Sequence, residues 1–184
     1  DGLPAEVAPS LIEAEFDESH GDAAVDRLLR EAHDALESDD TDRAKALLAD
    51  AAAISPSNPM PFIQLAFTHL QLHEHEESVL AAERVVEQEP DNPGTHSMYG
   101  LMLSLADQTE EAEAAFNRAL EIDPGCAPAI LHLARLRDRN DDEDGALYLY
   151  RRAAALGELT DDATAHFARI LMRQDKEDEA EAVL

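Results

Sequence analysis

The sequence predicts an all-α fold, an α-solenoid of helix–turn–helix repeats 34 residues long, and three observations carry that prediction. Prolines recur with this period: Pro56, Pro90 and Pro124 stand in the related strings Ser-Pro-Ser-Asn-Pro, Glu-Pro-Asp-Asn-Pro and Asp-Pro-Gly-Cys-Ala. Small residues recur in phase with them. The composition agrees, since 45% of residues are hydrophobic, mostly Ala and Leu, with 4% aromatic and no Trp. Such a chain suits closely packed helices and suits a strand-based core poorly. A fixed period of this length decides the fold class before any single helix is placed.

The register divides the chain into 25–58, 59–92, 93–126, 127–160 and an incomplete 161–184. In the first repeat Ala32 and Ala44 take the eighth and twentieth positions around a polar turn at 39–42, while Glu31 replaces the apolar residue expected at position seven. That departure marks it as an atypical cap. Ala66 and Ser78 flank the turn at 73–76, Gly100 and Ala112 the turn at 107–110, Ala134 and Ala146 the turn at 140–143, and Ala168 and Ala180 the turn at 175–178. Ala51, Val85, Ala119 and Ala153 are small again at position twenty-seven, while Leu65, Tyr99, Leu133 and Phe167 fill position seven. Small residues at fixed spacing let two antiparallel helices approach, and the large ones fill the space between pairs. Two helices per repeat follow, the second stopped by Pro, which lacks an N–H and disfavours helix in the residue before it. Gly157 and Glu158 replace that Pro in the fourth repeat.

Residues 1–24 lie outside the register and hold seven acidic groups with no Lys or Arg. They read as an acidic tail or linker. Leu11, Ile12 and Phe16 are nevertheless spaced to share one helical face, which suits docking on the array or in a groove. The first residue is Asp1 rather than Met and no secretory leader is evident, so the chain reads as trimmed or processed.

Charge excludes several functions. With 41 Asp+Glu against 14 Lys+Arg the net charge is −27, which repels nucleic acid and anionic membrane surfaces alike. No apolar run reaches the roughly 18 residues of a membrane span, and the chain reads as soluble, with the cytoplasm favoured. The single Cys126 excludes an internal disulfide framework. No catalytic motif or nucleophile–base arrangement stands out, and no cofactor is expected. His69, His73 and His75 form a weak metal candidate, because His69 and His73 at i, i+4 share a helical face; the register places them instead at an interior position and in a turn.

Prolines and small residues in common phase make the chain resemble the tetratricopeptide repeat family over 25–184. The resemblance implies a right-handed superhelix whose first helices line a concave wall, with positions two, five, six, nine, twelve and thirteen facing inward. These positions include Ile63, Phe67, Leu70, Met98, Leu101 and Leu105, then Leu131, His132, Arg135, Arg139, His166, Arg169, Met172 and Arg173. Eight of the 14 cations lie in 127–184, and four of them are on that wall. Leu29, His33, Gln64, Gly94 and Met98 stand where chaperone-binding members carry a two-carboxylate clamp, which argues against that ligand.

The function expected is a non-enzymatic scaffold holding a protein or peptide with apolar anchors and acidic groups, because Arg forks pair carboxylates bidentately. In the competing reading these arginines pair with Asp138, Asp141, Asp162 or Asp175 and solvate the array. Two other functions stay open: the substrate-recognition or oligomerisation region of a larger enzyme, and a self-assembling scaffold in which the last repeat makes subunit contacts.

Overall fold

The computed structural model describes residues 23–184, so the expectations placed on Leu11, Ile12 and Phe16 lie outside the described residues. Among those residues the secondary structure is entirely helical, in ten α-helices that alternate as first and second members of a pair. They are α1 (Ala23–Glu37), α2 (Thr41–Ile54), α3 (Pro59–Gln71), α4 (His75–Gln88), α5 (Pro93–Leu105), α6 (Thr109–Ile122), α7 (Ala127–Arg139), α8 (Glu143–Leu156), α9 (Asp161–Arg173) and α10 (Glu177–Val183). Helix α1 includes Ala23 and Ala24, two residues ahead of the register.

Two compact units divide the described chain, the first reaching Pro90 and the second running Asp91–Leu184. In the first, α1 packs on α2, α2 on α3 and α3 on α4. Val25, Leu29, Ala32, Leu48 and Ala51 form a core with Leu28, Leu47, Met60 and Leu65 at its margin. The first repeat is therefore fully formed, and Glu31 turns aside to pair with Arg27 at 3.6 Å. Ser78, the small residue of the second repeat, donates its hydroxyl to the Ala66 carbonyl at 2.8 Å, which bonds positions twenty and eight directly.

In the second unit α5 packs on α6 and on α7, α7 on α8, and α9 on both α8 and α10. The close approach is steepest at Gly100, where an added Cβ would stand 2.7 Å from two ring carbons of the wholly buried Phe116. Tyr150 stacks on Phe167 with centroids 5.8 Å apart. Arg137 links α6 to α8 by pairing Glu113 and, at 2.9 Å, Asp142.

Each pair is joined in the same way. Asp39, His73, Asp107, Asp141 and Asp175 occupy one register position and all adopt the left-handed conformation, with φ between 56° and 61°. Asp and His tolerate that region better than most residues. In the first joint the Asp40 amide bonds to the Ala35 carbonyl and the Asp39 amide to that of Leu36, and the same pairing recurs at 73–74, 141–142 and 175–176. This is a Schellman closure of the first helix. The next residue is already the cap of the second: Asp40 accepts from the Arg43 amide and Asp142 from that of Gly145. Helix α8 ends on Gly157 at φ +74° with its own Schellman closure, so glycine does there what proline does in the other repeats and the period survives.

Candidate functional site

Proline and asparagine position the first helices. Asn58 and Asn92 cap α3 and α5 by accepting from Met60 and Gly94, and Pro59 and Pro93 follow at the first helical position. On α3, Ile63 is half-buried, whereas Phe67 and Leu70 are 3% exposed. Met98 and Leu131 are buried likewise. These four expected wall residues are therefore buried among their neighbours. Leu101 and Leu105 on α5 remain half-buried and Met172 on α9 is 53% exposed.

The second unit brings together the basic part of the expected wall. Asp138, whose side chain is only 8% exposed, accepts from Arg169 at 2.5 Å and Arg173 at 3.2 Å, and lies 3.6 Å from His166. Arg173 also reaches Glu143 at 2.6 Å, and Arg169 donates to His166 Nδ1 at 2.8 Å. Arg135 pairs with Asp162 in the first turn of α9. Three of the four arginines thus carry internal carboxylate partners, Asp138 and Asp162 among them, as the competing reading expected. Both residues fall on inward positions of the register. Arg139 differs: it donates to the carbonyl and hydroxyl of Ser104 at 2.9 and 3.1 Å, both neutral acceptors, on the same helix as Leu101 and Leu105.

His132 lies beneath this layer with its ring stacked on Phe116 at 5.9 Å. Burial, helped by the Arg135 charge, lowers its pKa to about 4, so the imidazole is neutral near pH 7.

The histidine cluster is not a convergent metal site. His69 Nδ1 lies 2.6 Å from Glu74, which also takes Lys45 Nζ at 3.1 Å, and these bonds tie α2 to the joint between α3 and α4. The His69 hydrogen bond and then Lys45 hold the Glu74 carboxyl below its usual range. His73 is the left-handed residue of its joint, and its ring meets that of His75 edge-on at 6.0 Å. Among the described residues no group of three His, Cys, Asp or Glu side chains converges to hold a metal ion, and no helix is long and apolar enough to cross a membrane.

Comparison with known proteins gives one family and one fold. Models described as tetratricopeptide repeat match residues 35–100 and 94–126, together covering half of the chain. A human protein, RANBP2-like and GRIP domain-containing protein 1, is 40% identical over 66 residues, which are 35% of this chain and 4% of that protein. The tetratricopeptide repeat and J domain-containing co-chaperone DNJ1 of Fusarium oxysporum is 34% identical over 114 residues, 58% of this chain and 22% of that protein. This chain therefore matches only a small part of these relatives' length. Among solved structures, PilF of Pseudomonas aeruginosa superposes with a TM-score of 0.75 at 18% identity, covering 87% of this chain and 73% of that one. MamA of Desulfovibrio magneticus gives 0.72 at 16% identity over 88% and 92% of the two chains. At such identities the likeness is one of fold, an α-solenoid of helix pairs.

Proposed function

The chain belongs to the tetratricopeptide repeat family, a fold of protein–protein interaction scaffolds, and from that premise we propose that the first-helix face of its second unit holds a segment of a partner protein. One observation carries the reading. Among the described residues Arg139, an exposed cation, bonds only to the neutral Ser104, on the helix that presents Leu101 and Leu105. An arginine without a carboxylate, next to apolar surface, suits a segment that brings both an apolar anchor and an acidic side chain. Arg169 and Arg173, 52% and 41% exposed, extend the positive surface, but their share is reduced by Asp138 and Glu143.

The test compares affinity capture, read by mass spectrometry at low and high salt, for the unaltered chain and for Arg139→Glu and Leu101→Asp. Each variant is expected to lose the same partner at least tenfold, worth about 1.4 kcal/mol, with helicity by circular dichroism unchanged. Capture that survives both substitutions removes this face from the binding site. A second reading, in which the array is the recognition part of a longer polypeptide, is supported by the relatives named above, both far longer than the matched segment.

A further inference from the structure

Among the described residues the arginine layer of the second unit carries a positive charge that it does not match. Arg135 pairs with Asp162, while Arg169 and Arg173 share Asp138 and Glu143, which leaves Arg139 as the surplus cation. Two sets of bonds fix where that cation lies. Arg139 donates to the carbonyl and hydroxyl of Ser104 at 2.9 and 3.1 Å, and Leu101, Ser104 and Leu105 stand at i, i+3 and i+4 on one face of α5. Asp138, next to Arg139 on α7, accepts from Arg169 at 2.5 Å and from Arg173 at 3.2 Å. On α9 Met172 shares a face with these two arginines by the same spacing and is 53% exposed. The helices α5, α7 and α9 thus present an apolar strip, a cation bonded to its edge, and a further basic strip beyond.

The chain itself contains a segment of matching chemistry. Residues 1–22 precede α1 and hold seven acidic residues with no Lys or Arg. Four of these, Glu13, Glu15, Asp17 and Glu18, stand in residues 10–18 among the large apolar residues Leu11, Ile12 and Phe16. Apolar anchors interleaved with carboxylates are what a surface of leucines beside an unmatched arginine recognises, and an amphipathic segment laid across helices is a common way to supply them. Two copies of net charge −27 repel each other, but at about 0.15 M salt that repulsion is screened beyond about 8 Å. Local complementarity then decides whether they join.

We propose that the first-helix face of the second unit takes residues 10–18 of a second copy of this chain, with the apolar residues of that segment on Leu101 and Leu105 and one of its carboxylates on Arg139. The inference rests on the function proposed above for this face and names one segment that it holds. A second copy brings its segment without any limit of reach, whereas residues 17–22 tether a chain's own segment to α1, which belongs to the other unit. The contact is heterologous, segment to face, so each copy keeps a free segment or a free face for the next.

The experiment follows the full chain by light scattering coupled to size exclusion, from micromolar to submillimolar concentration. Dimers and longer assemblies that grow with concentration are expected. Ile12→Asp with Phe16→Asp disables the segment, and Leu101→Asp with Arg139→Glu disables the face. Each double variant is expected to associate about tenfold more weakly or worse, with helicity by circular dichroism unchanged. If Leu101→Asp lowers the helicity, Arg139→Glu alone serves as the face variant, since that side chain is exposed. A mixture of the two variants offers one intact segment and one intact face, so it is expected to give a dimer of one copy of each and nothing longer. An unaltered chain that stays monomeric overturns the proposal, as do variants that associate undiminished or a mixture that does not pair. The segment variant keeps the face intact, so its capture of other proteins tests the proposed function separately: capture without self-association leaves that function standing, and self-association without capture leaves this inference.

Discussion

Lowering the pH from about 7 to about 4.5 is expected to weaken the second unit through His132. The folded chain keeps that imidazole neutral down to about pH 4, because burial and the nearby Arg135 oppose its charge. An unfolded chain protonates the same ring near pH 6.5. Across the interval the unfolded state holds one more proton than the folded one, so stability is complete above about 6.5 and is lost as the pH falls. A shift from 6.5 to about 4 corresponds to a ceiling of about 3 kcal/mol, at about 1.4 kcal/mol per unit. His132 is only half-buried by surface area, so solvent screening lowers the figure to roughly 2 kcal/mol. Carboxylates titrate in the same range, and the comparison must cancel them: urea unfolding of the unaltered chain is set against His132→Leu at each pH. Tyr99, Tyr148 and Tyr150 all lie in the second unit and the chain has no Trp, so tyrosine fluorescence follows that unit alone. The stability difference between the two proteins is expected to grow steadily in favour of His132→Leu as the pH falls. A difference constant to within about 0.5 kcal/mol over the range would refute the reasoning.

Three other substitutions test the packing and the joints. Gly100→Ala drives a methyl into Phe116; overpacking of about 1–3 kcal/mol exceeds the roughly 1 kcal/mol gained in helix propensity, and adding Phe116→Leu is expected to recover part of the net loss in a denaturation double-mutant cycle. Gly157→Ala meets no atom within 4 Å, so a loss of about 1 kcal/mol in thermal melts measures the left-handed backbone alone, whereas Asp107→Gly at φ 58° is expected to be neutral or to gain up to about 1 kcal/mol. Asp138→Asn removes the carboxylate shared by Arg169 and Arg173; with both arginines largely solvated the cost is expected to be about 1 kcal/mol, falling at high salt, and a salt-independent cost contradicts the ion-pair account.

Most of the fold was legible in the sequence because close helix contact restricts residue size so severely. Ala32, Ala66, Ala134, Ala44, Ser78, Ala112 and Ala146 are all without measurable exposure or nearly so, as their positions predicted. The joints were only half legible: the polar turns were evident, but the shared left-handed residue was not, since Asp and His are also ordinary turn residues. The wall was harder. Size rules could not show that Phe67, Leu70, Met98 and Leu131 would be covered, because covering depends on how far the adjacent helix leans over, and that is settled by many contacts at once. The pairing of Arg135 with Asp162 and of Arg169 with Asp138 was visible as a competing reading, since residues 27 and 31 apart fall near one repeat length. Nothing in the sequence distinguishes the Tyr150 hydroxyl, which has no hydrogen-bond partner among the described residues, from a tyrosine that fills its place like Phe116.

The backbone hydrogen bonds that close the joint between paired helices all come from within about six consecutive residues. Each hairpin can therefore take shape while the rest of the chain is still disorganised, and the search for the native state becomes a succession of local events. Such chains fold quickly for their length, since few distant segments must find one another before free energy is gained. A repeat nucleated anywhere in the array can then serve as the template on which the next one docks.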